Sequence, residues 1–265
     1  MGFESMTTAT LVTKCVQYLD EAFARHESIV ALTELAPGLT IDDAYSIQME
    51  RVRTAVESGD SITGKKIGLT SQAMQNLLGV DQPDYGHLHQ SMVVEQGGTV
   101  SLSQLFQPKV EGEIAFVLKE DLVGPKITTE DVLKATDYVV ASLEIVDSRI
   151  KDWKIKLEDT VADNASCGLY VLGTYKARDV DLKKLHMQLL KNGEVVNEGY
   201  GTDVLGDPAA CVAWLANKLH QYGVSLKAGE VILSGALSAA IPVNPGDEIK
   251  ATFNELGEVH VHFTE

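Results

Sequence analysis

The stretch Val110-Glu-Gly-Glu-Ile-Ala-Phe-Val-Leu118 predicts a β-strand that carries two glutamates inside an apolar run. Side chains alternate between the two faces of a strand, so Glu111 and Glu113 share one face, while Ile114 and Phe116 lie on the other. Neither face has the composition of a solvated surface. Because buried carboxylates without partners are costly, these glutamates need protons, cations or a metal.

A second apolar run, Val139-Val-Ala-Ser-Leu-Glu-Ile-Val146, places Glu144 in a similar setting. Hard divalent cations such as Mg²⁺ and Mn²⁺ take oxygen ligands and keep positions for water and substrate. The pattern therefore predicts a divalent metal site made by Glu111, Glu113 and Glu144. The alternative interpretation is that these glutamates lie at a sheet edge and face solvent.

Composition narrows the class of protein. The 265 residues are 45% apolar and 23% charged, as in ordinary soluble globular proteins, and allow one large domain or a large domain with a small one. The net charge of −16 argues against nucleic acid and anionic membranes as partners. Three dispersed cysteines fit a reducing compartment, and no apolar run of about 18 residues occurs. We therefore expect a cytoplasmic protein.

The pattern along the chain predicts an α+β fold. Helical spacing over residues 8–26 and 40–59 indicates a helical amino-terminal portion, residues 1–62. From residue 63 the chain has short β-like runs broken by glycine, and Lys191-Asn-Gly-Glu194 is typical of a hairpin turn. Residues 63–265 are therefore predicted to form a catalytic domain with a rolled, mostly antiparallel β core.

Three further residues are candidates for a functional site. Lys66 lies in a run of small and apolar residues, where it is either a solvated lysine or a cation that pairs with a substrate carboxylate or transfers protons. Asp84 follows Pro83 in a predicted turn, where aspartate is common because it caps turns. Ser166 belongs to a loop of small, hydrogen-bonding residues that either approaches a ligand closely or forms a plain turn.

Two histidine pairs alternate along predicted strands. His87 and His89 follow Asp84, and His260 and His262 lie on the last predicted strand. A pair of histidines without a third ligand is a weak metal signal. We therefore predict that all four histidines occupy solvated strand positions.

Five segments with distinctive residue combinations follow one another along the chain. They are Gly64-Lys-Lys-Ile-Gly-Leu-Thr70, Gly79-Val-Asp-Gln-Pro-Asp-Tyr-Gly86, Val110-Glu-Gly-Glu-Ile-Ala115, Leu143-Glu-Ile-Val-Asp-Ser-Arg-Ile-Lys-Asp-Trp153 and Thr160-Val-Ala-Asp-Asn-Ala-Ser-Cys-Gly168. Together they closely resemble the 2-hydroxypenta-2,4-dienoate (2-oxopent-4-enoate) hydratases. These enzymes belong to the hydratase and decarboxylase group of the fumarylacetoacetate hydrolase superfamily. The resemblance extends over nearly the whole chain.

The resemblance implies the mixed β-roll fold of that superfamily and a bound Mg²⁺ or Mn²⁺. The family's metal glutamates correspond to Glu111, Glu113 and Glu144. A catalytic lysine and a catalytic acid correspond to Lys66 and Asp84. The family also implies that Ser166 contacts the 2-oxo acid end of a small-molecule substrate. The resemblance also implies a homo-oligomer, and a complex with a partner enzyme of the same pathway is an alternative.

The implied reaction adds water to 2-hydroxypenta-2,4-dienoate and gives 4-hydroxy-2-oxopentanoate, in the meta-cleavage degradation of aromatic compounds. An alternative is 4-oxalocrotonate (2-oxohex-3-enedioate) decarboxylase, a sister enzyme with the same acidic triad. Residues 165–168 and 234–237 are hydratase-like, whereas residues 238–243 are decarboxylase-like. A second alternative is a non-catalytic subunit that stabilises a hydratase–decarboxylase complex.

Overall fold

The computed structural model of the chain describes residues 7–265. The α-helices within this range are α1 Thr8–Arg25, α2 Leu32–Leu35, α3 Ile41–Glu57, α4 Gln72–Leu78, α5 Thr129–Ala135, α6 Leu157–Ala162 and α7 Pro208–His220. The strands are β1 Ile62–Gly68, β2 Asp84–His89, β3 Val93–Val94, β4 Thr99–Ser101, β5 Lys109–Leu118, β6 Thr136–Val146, β7 Cys167–Leu172, β8 His186–Lys191, β9 Glu194–Tyr200, β10 Val231–Ala236, β11 Ile241–Pro242, β12 Glu248–Phe253 and β13 Gly257–Thr264.

The two predicted amino-terminal helices are present as α1 and α3. Thr40 begins α3 with a capping box, in which its hydroxyl accepts from the backbone of Asp43 and the Asp43 carboxylate accepts from the backbone of Thr40. Each helix buries one face, through Cys15 and Leu19 in α1 and through Ala44 and Ile47 in α3, among others. No helix within residues 7–265 has the length and apolarity that a bilayer span requires.

The larger sheet has eight strands and is rolled. Its order is β2-β1-β10-β5-β6-β7-β3, with β11 also paired to β5. The β1–β10 and β3–β7 pairs are parallel, and the other pairs are antiparallel. The Thr63 hydroxyl on β1 lies 2.9 Å from the Tyr170 hydroxyl on β7, four steps away in strand order. This hydrogen bond spans the concave face, so strands that are distant in the sheet face each other. The predicted rolled, mixed β core is confirmed.

The smaller sheet, in the order β4-β13-β12-β8-β9, packs on the convex face of the roll. Burial alternates along β12 and β13, as expected when one face is covered and the other faces outward. At Gly112 on β5 a Cβ would overlap the Met187 sulfur on β8, so glycine permits the close approach of the two sheets. The predicted hairpin turn joins β8 to β9, with left-handed φ values of 53° at Asn192 and 84° at Gly193.

The concave face of the roll has an apolar floor. It is a small cluster separate from the main core and is formed by Leu88, Ala115, Val140, Cys167, Tyr170 and Leu233. Ala115 is two residues from Glu113 on β5, and Val140 is four residues from Glu144 on β6. Because alternate residues share a face, the glutamates lie on the same concave face as this floor.

A buried hydrogen-bond network attaches α3 to the roll. The Gln48 amide nitrogen donates to the carbonyls of Tyr85 and Val161, and its oxygen lies 2.8 Å from His87 Nδ1. Burial lowers the pKa of His87 to about 3, so the ring is neutral. The prediction that His87 and His89 are solvated is wrong, because the helical portion and the segment from α6 to β7 cover this part of β2.

Candidate functional site

The three glutamates converge on the concave face of the roll. In the antiparallel β5–β6 pair, Glu111 lies directly opposite Glu144, and Glu113 lies opposite Ser142. One carboxylate oxygen from each glutamate lies within 4.8 Å of the other two. Glu113 and Glu144 are fully buried, whereas Glu111 is half-buried. The alternative of glutamates at a solvated sheet edge does not fit this placement, because β5 and β6 are interior strands.

The three carboxylates carry more negative charge than the neighbouring lysine, Lys66, can balance. Glu113 Oε1 and both carboxylate oxygens of Glu144 are buried and have no hydrogen-bond partner. Burial and the Glu144 carboxylate raise the pKa of Glu111 to about 7, and the same two causes raise the pKa of Glu113 well above its usual value. Converging oxygen ligands with free lone pairs are what Mg²⁺ or Mn²⁺ requires, so these three residues fit a divalent metal.

Lys66 extends from β1 toward the acidic cluster. Its Nζ donates to the Ala165 carbonyl at 2.9 Å and lies 3.2 Å from Glu144 Oε1, in an ion pair without hydrogen-bond geometry. Burial alone would lower the pKa of Lys66, but the carboxylates of Glu144 and Asp84 outweigh burial and raise it. Lys65 points to the opposite face and pairs with Glu230 at 2.6 Å, as strand alternation predicts.

Asp84 is the first residue of β2 rather than a member of a surface turn. Its side chain is buried, and its Oδ1 has no hydrogen-bond partner. Burial raises the pKa of Asp84 to about 6, and the opposing charge of Lys66 limits this shift. A Cβ at Gly68, the cross-strand partner of Asp84, would overlap Oδ1. Because residue 68 is a glycine, the Asp84 carboxylate has room to lie beside Lys66.

Ser166 lies in the loop between α6 and β7. Asn164, Ala165 and Ser166 have left-handed backbone φ values of 56°, 52° and 54°. Such a run of non-glycine residues is strained, by roughly 1–3 kcal/mol for each residue, and strain of this kind concentrates at functional sites. In this strained conformation, the Ala165 carbonyl accepts a hydrogen bond from Lys66 Nζ. The Ser166 hydroxyl is buried and lies 3.0 Å from the Thr160 hydroxyl, and its predicted contact with substrate stays a prediction.

Two glycines and one backbone carbonyl that belong to the site were not predicted from the sequence. The Gly235 N–H donates to Glu113 Oε2 at 2.9 Å, and its φ of 114° is a conformation that side chains rarely adopt. A Cβ there would also overlap the Thr70 side chain. Gly68 and Gly235 both interrupt β-like runs, and an isolated glycine in such a run is a sequence signal of close backbone approach. The Ala165 carbonyl leaves no such signal.

Comparison with known proteins agrees with this architecture. The family model for the fumarylacetoacetate (FAA) hydrolase C-terminal region matches residues 54–264. A 2-hydroxyhexa-2,4-dienoate hydratase of Comamonas testosteroni is 48% identical over 253 residues, which are 94% of this chain and 96% of that protein. A 2-hydroxypent-2,4-dienoate hydratase of Pseudomonas putida is 47% identical over 219 residues, which are 82% of this chain and 99% of that protein.

A solved structure also superposes closely on this fold. It is the 4-oxalocrotonate decarboxylase from Pseudomonas putida G7 in complex with magnesium and adipate. That protein is 39% identical in sequence, with a TM-score of 0.94, and the match covers 98% of this chain and 99% of that one. Both reaction types considered from the sequence are therefore represented among the relatives of this chain.

Proposed function

The chain belongs to the fumarylacetoacetate hydrolase family, and we propose that it is a metal-dependent hydro-lyase that converts 2-hydroxypenta-2,4-dienoate to 4-hydroxy-2-oxopentanoate. The observation that carries this proposal is the triad of glutamates, in which three buried oxygens accept no hydrogen bond, beside Lys66 and Asp84. The hydratases at 48% and 47% identity support this reaction over the other chemistries of the fold.

Glu111, Glu113 and Glu144 are the residues that would hold Mg²⁺ or Mn²⁺. When bound there, a divalent cation supplies Lewis-acid stabilisation of negative charge on the oxygens of a 2-hydroxy or 2-oxo acid. The complex of the related decarboxylase with magnesium supports this choice of ion. The half-buried position of Glu111 leaves this side of the triad as the approach for substrate.

The reaction requires proton transfers that the residues of this chain can serve. The C2 hydroxyl loses a proton and C5 gains one, which gives 2-oxopent-3-enoate. The oxygen of a water molecule then bonds to C4 as that water loses one proton, and C3 gains a proton. We assign the movement of these protons to Asp84 Oδ1, which is buried and has no competing hydrogen-bond donor. A pKa of about 6 lets this carboxyl both accept and release a proton near neutral pH.

Lys66 has a different role in this proposal. Its Nζ is anchored by the Ala165 carbonyl and by the charge of Glu144, so its position is fixed before substrate arrives. A fixed cation at this place can orient the substrate carboxylate through its remaining donor capacity. Ser166, in the same strained loop, is proposed to contact the 2-oxo acid end. The apolar floor of the roll excludes water from the side opposite the entrance.

The neighbouring cations favour a substrate with one carboxylate. Arg149 is occupied, because its Nε donates to Asp163 at 2.7 Å and its terminal nitrogens lie near the Cys167 carbonyl. Lys65 is occupied by Glu230 on the other face. A second buried substrate carboxylate would need a cation or donors of its own, because burying it alone costs several kcal/mol. This distribution supports hydration rather than decarboxylation of a diacid.

One observation keeps decarboxylation as a second candidate. Lys109 lies on the same face of β5 as Glu111, two residues away, and its Nζ lies 4.7 Å from the centre of the Trp153 ring. A lysine held over an aromatic ring has no carboxylate partner there, so it can meet a second substrate carboxylate at the entrance. The close superposition of the decarboxylase structure is consistent with this option.

We further propose a homo-oligomer located in the cytoplasm, and a division of the chain into residues 1–62 and 63–265. The three free, buried cysteines Cys15, Cys167 and Cys211 support a reducing compartment. The exposed apolar side chains of Met74 and Leu77 on α4 support contact with another copy or with a partner enzyme of the pathway. A light-scattering mass equal to one chain would contradict the oligomer.

Removing the metal is expected to abolish turnover. The purified chain, treated with a chelator and then assayed on 2-hydroxypenta-2,4-dienoate, should lose activity, and Mg²⁺ or Mn²⁺ should restore it better than Zn²⁺. The reason is that a site with only carboxylate ligands lacks the nitrogen and sulfur donors that zinc usually finds. Full activity in protein shown by elemental analysis to be metal-free would contradict the proposal.

A further inference from the structure

A second group of potential metal ligands lies on the outward face of the smaller sheet. His260 and His262 are two residues apart on β13, so their side chains share a face. Glu248 on β12 is the direct cross-strand partner of His262. One ligand atom from each of the three side chains lies within 4.8 Å of the other two, and all three side chains are partly exposed.

The separation of Glu248 and His262 is close to that of two ligands of one tetrahedral metal ion. His262 Nε2 lies 3.5 Å from Glu248 Oε2. Two ligands bound to one Zn²⁺ at 2.0–2.1 Å with tetrahedral angles are separated by about 3.3 Å. The two histidine rings are nearly perpendicular, at 85°, with their centres 5.7 Å apart.

The surroundings hold the ligands in place. The Gln96 side chain contacts His260 twice: its oxygen accepts from the His260 backbone N–H at 3.1 Å, and its nitrogen lies 3.0 Å from Nδ1. Lys250, on the same face of the sheet, pairs with Glu258 at 3.3 Å, so its charge is directed away from Glu248. The three ligands lie on two paired strands with a fixed register. Less side-chain conformational entropy is therefore lost when a cation binds.

This group is separate from the acidic triad. The triad lies on the concave face of the roll, and the smaller sheet packs on the convex face. His260 and His262 lie on the face of the smaller sheet that points away from the roll. The ligand sets also differ, since two imidazoles and one carboxylate suit late first-row ions, whereas three carboxylates suit Mg²⁺ and Mn²⁺.

We propose that Glu248, His260 and His262 form a second metal site that binds Zn²⁺, with its fourth position open to water. The bound ion links β12 to β13 and stabilises the folded chain, because it binds the folded state in preference to the unfolded one. The site does not take part in the hydration reaction.

Calorimetric titration with Zn²⁺ tests the proposal. The full chain, prepared without a histidine tag and with the Glu113→Gln substitution to weaken the acidic triad, is expected to bind one Zn²⁺ and to melt at a higher temperature with zinc. Adding His262→Ala, His260→Ala or Glu248→Gln should weaken zinc binding at least tenfold and remove the rise in melting temperature. Circular dichroism and the melting temperature without zinc should stay unchanged, since all three side chains are partly exposed.

His186→Ala is the matched control. His186 Nε2 also lies 3.5 Å from a glutamate oxygen, that of Glu198, but this pair belongs to no three-ligand group within residues 7–265. The substitution should leave zinc binding as it was. The proposal is overturned if the chain binds no Zn²⁺, or if the variants at 248, 260 and 262 bind it as tightly as His186→Ala does.

Discussion

Asp84→Asn is expected to lower turnover of 2-hydroxypenta-2,4-dienoate by about 10²–10⁴-fold, the usual contribution of a general acid–base group. Asparagine has nearly the same shape as aspartate but cannot carry a proton. The Asp84 carboxyl is buried with Oδ1 free of hydrogen bonds and has a pKa of about 6, so its function depends on proton exchange. Steady-state kinetics with saturating Mg²⁺ measures the effect.

The same variant should keep its metal and its fold. Asp84 is outside the triad, and a neutral side chain at a buried position costs less than a charged one, so metal affinity and melting temperature should not fall. Asp81→Asn, at an exposed position in the same segment, is the control and should retain normal turnover. If Asp84→Asn keeps more than half of the wild-type rate, another residue moves the proton.

Glu113→Gln is expected to have two opposite effects. In the presence of Mg²⁺ or Mn²⁺, turnover should fall at least about 10²-fold, because one of three metal ligands loses its charge. In the metal-free state the variant should be more stable than wild type, by roughly 1–3 kcal/mol, because burial raises the pKa of Glu113 and glutamine removes the cost of protonating this carboxyl when the chain folds. The glutamine oxygen can still accept the Gly235 N–H, so local geometry is preserved.

Thermal unfolding with and without metal separates these effects. Wild type should gain stability from metal, by about 2.7 kcal/mol at a concentration one hundred times the dissociation constant, and the variant should gain much less. Glu120→Gln, at an exposed position just after β5, should behave as wild type in both states. A Glu113→Gln protein that is less stable than wild type without metal, yet equally stabilised by metal, would contradict the triad.

The local parts of the site could be predicted from the sequence. Period-two alternation assigns Glu111 and Glu113 to one face of a strand and separates Lys65 from Lys66, and both assignments hold in the structure. Helical spacing over residues 8–26 and 40–59 predicts two helices, and the structure has α1 and α3 at these places. These signals act within a few residues, so one sequence is enough to reveal them.

The parts that depend on distant contacts could not be predicted from alternation or capping. The pairing of Glu111 with Glu144 depends on the register of β5 against β6, and Lys66 meets Glu144 only because the sheet rolls. The burial of His87 depends on Gln48, 39 residues earlier in the chain. In these cases tertiary packing determines what surrounds each side chain. The sequence pattern predicts only that the residue lies in a strand. The family resemblance supplied the roles of Lys66 and Asp84.

Hydration of a dienoate with one carboxylate is the reaction that we propose for this site. The most direct test is NMR identification of the product formed by the metal-loaded chain from 2-hydroxypenta-2,4-dienoate, alongside a parallel assay of CO₂ release from 2-oxohex-3-enedioate. We predict 4-hydroxy-2-oxopentanoate from the first substrate and no CO₂ from the second, since the buried cations Arg149 and Lys65 are already paired and Lys109, which has no carboxylate partner among residues 7–265, is partly exposed. Efficient release of CO₂ from the six-carbon diacid, with the five-carbon dienoate left unchanged, would show that the chain is a decarboxylase and not a hydratase.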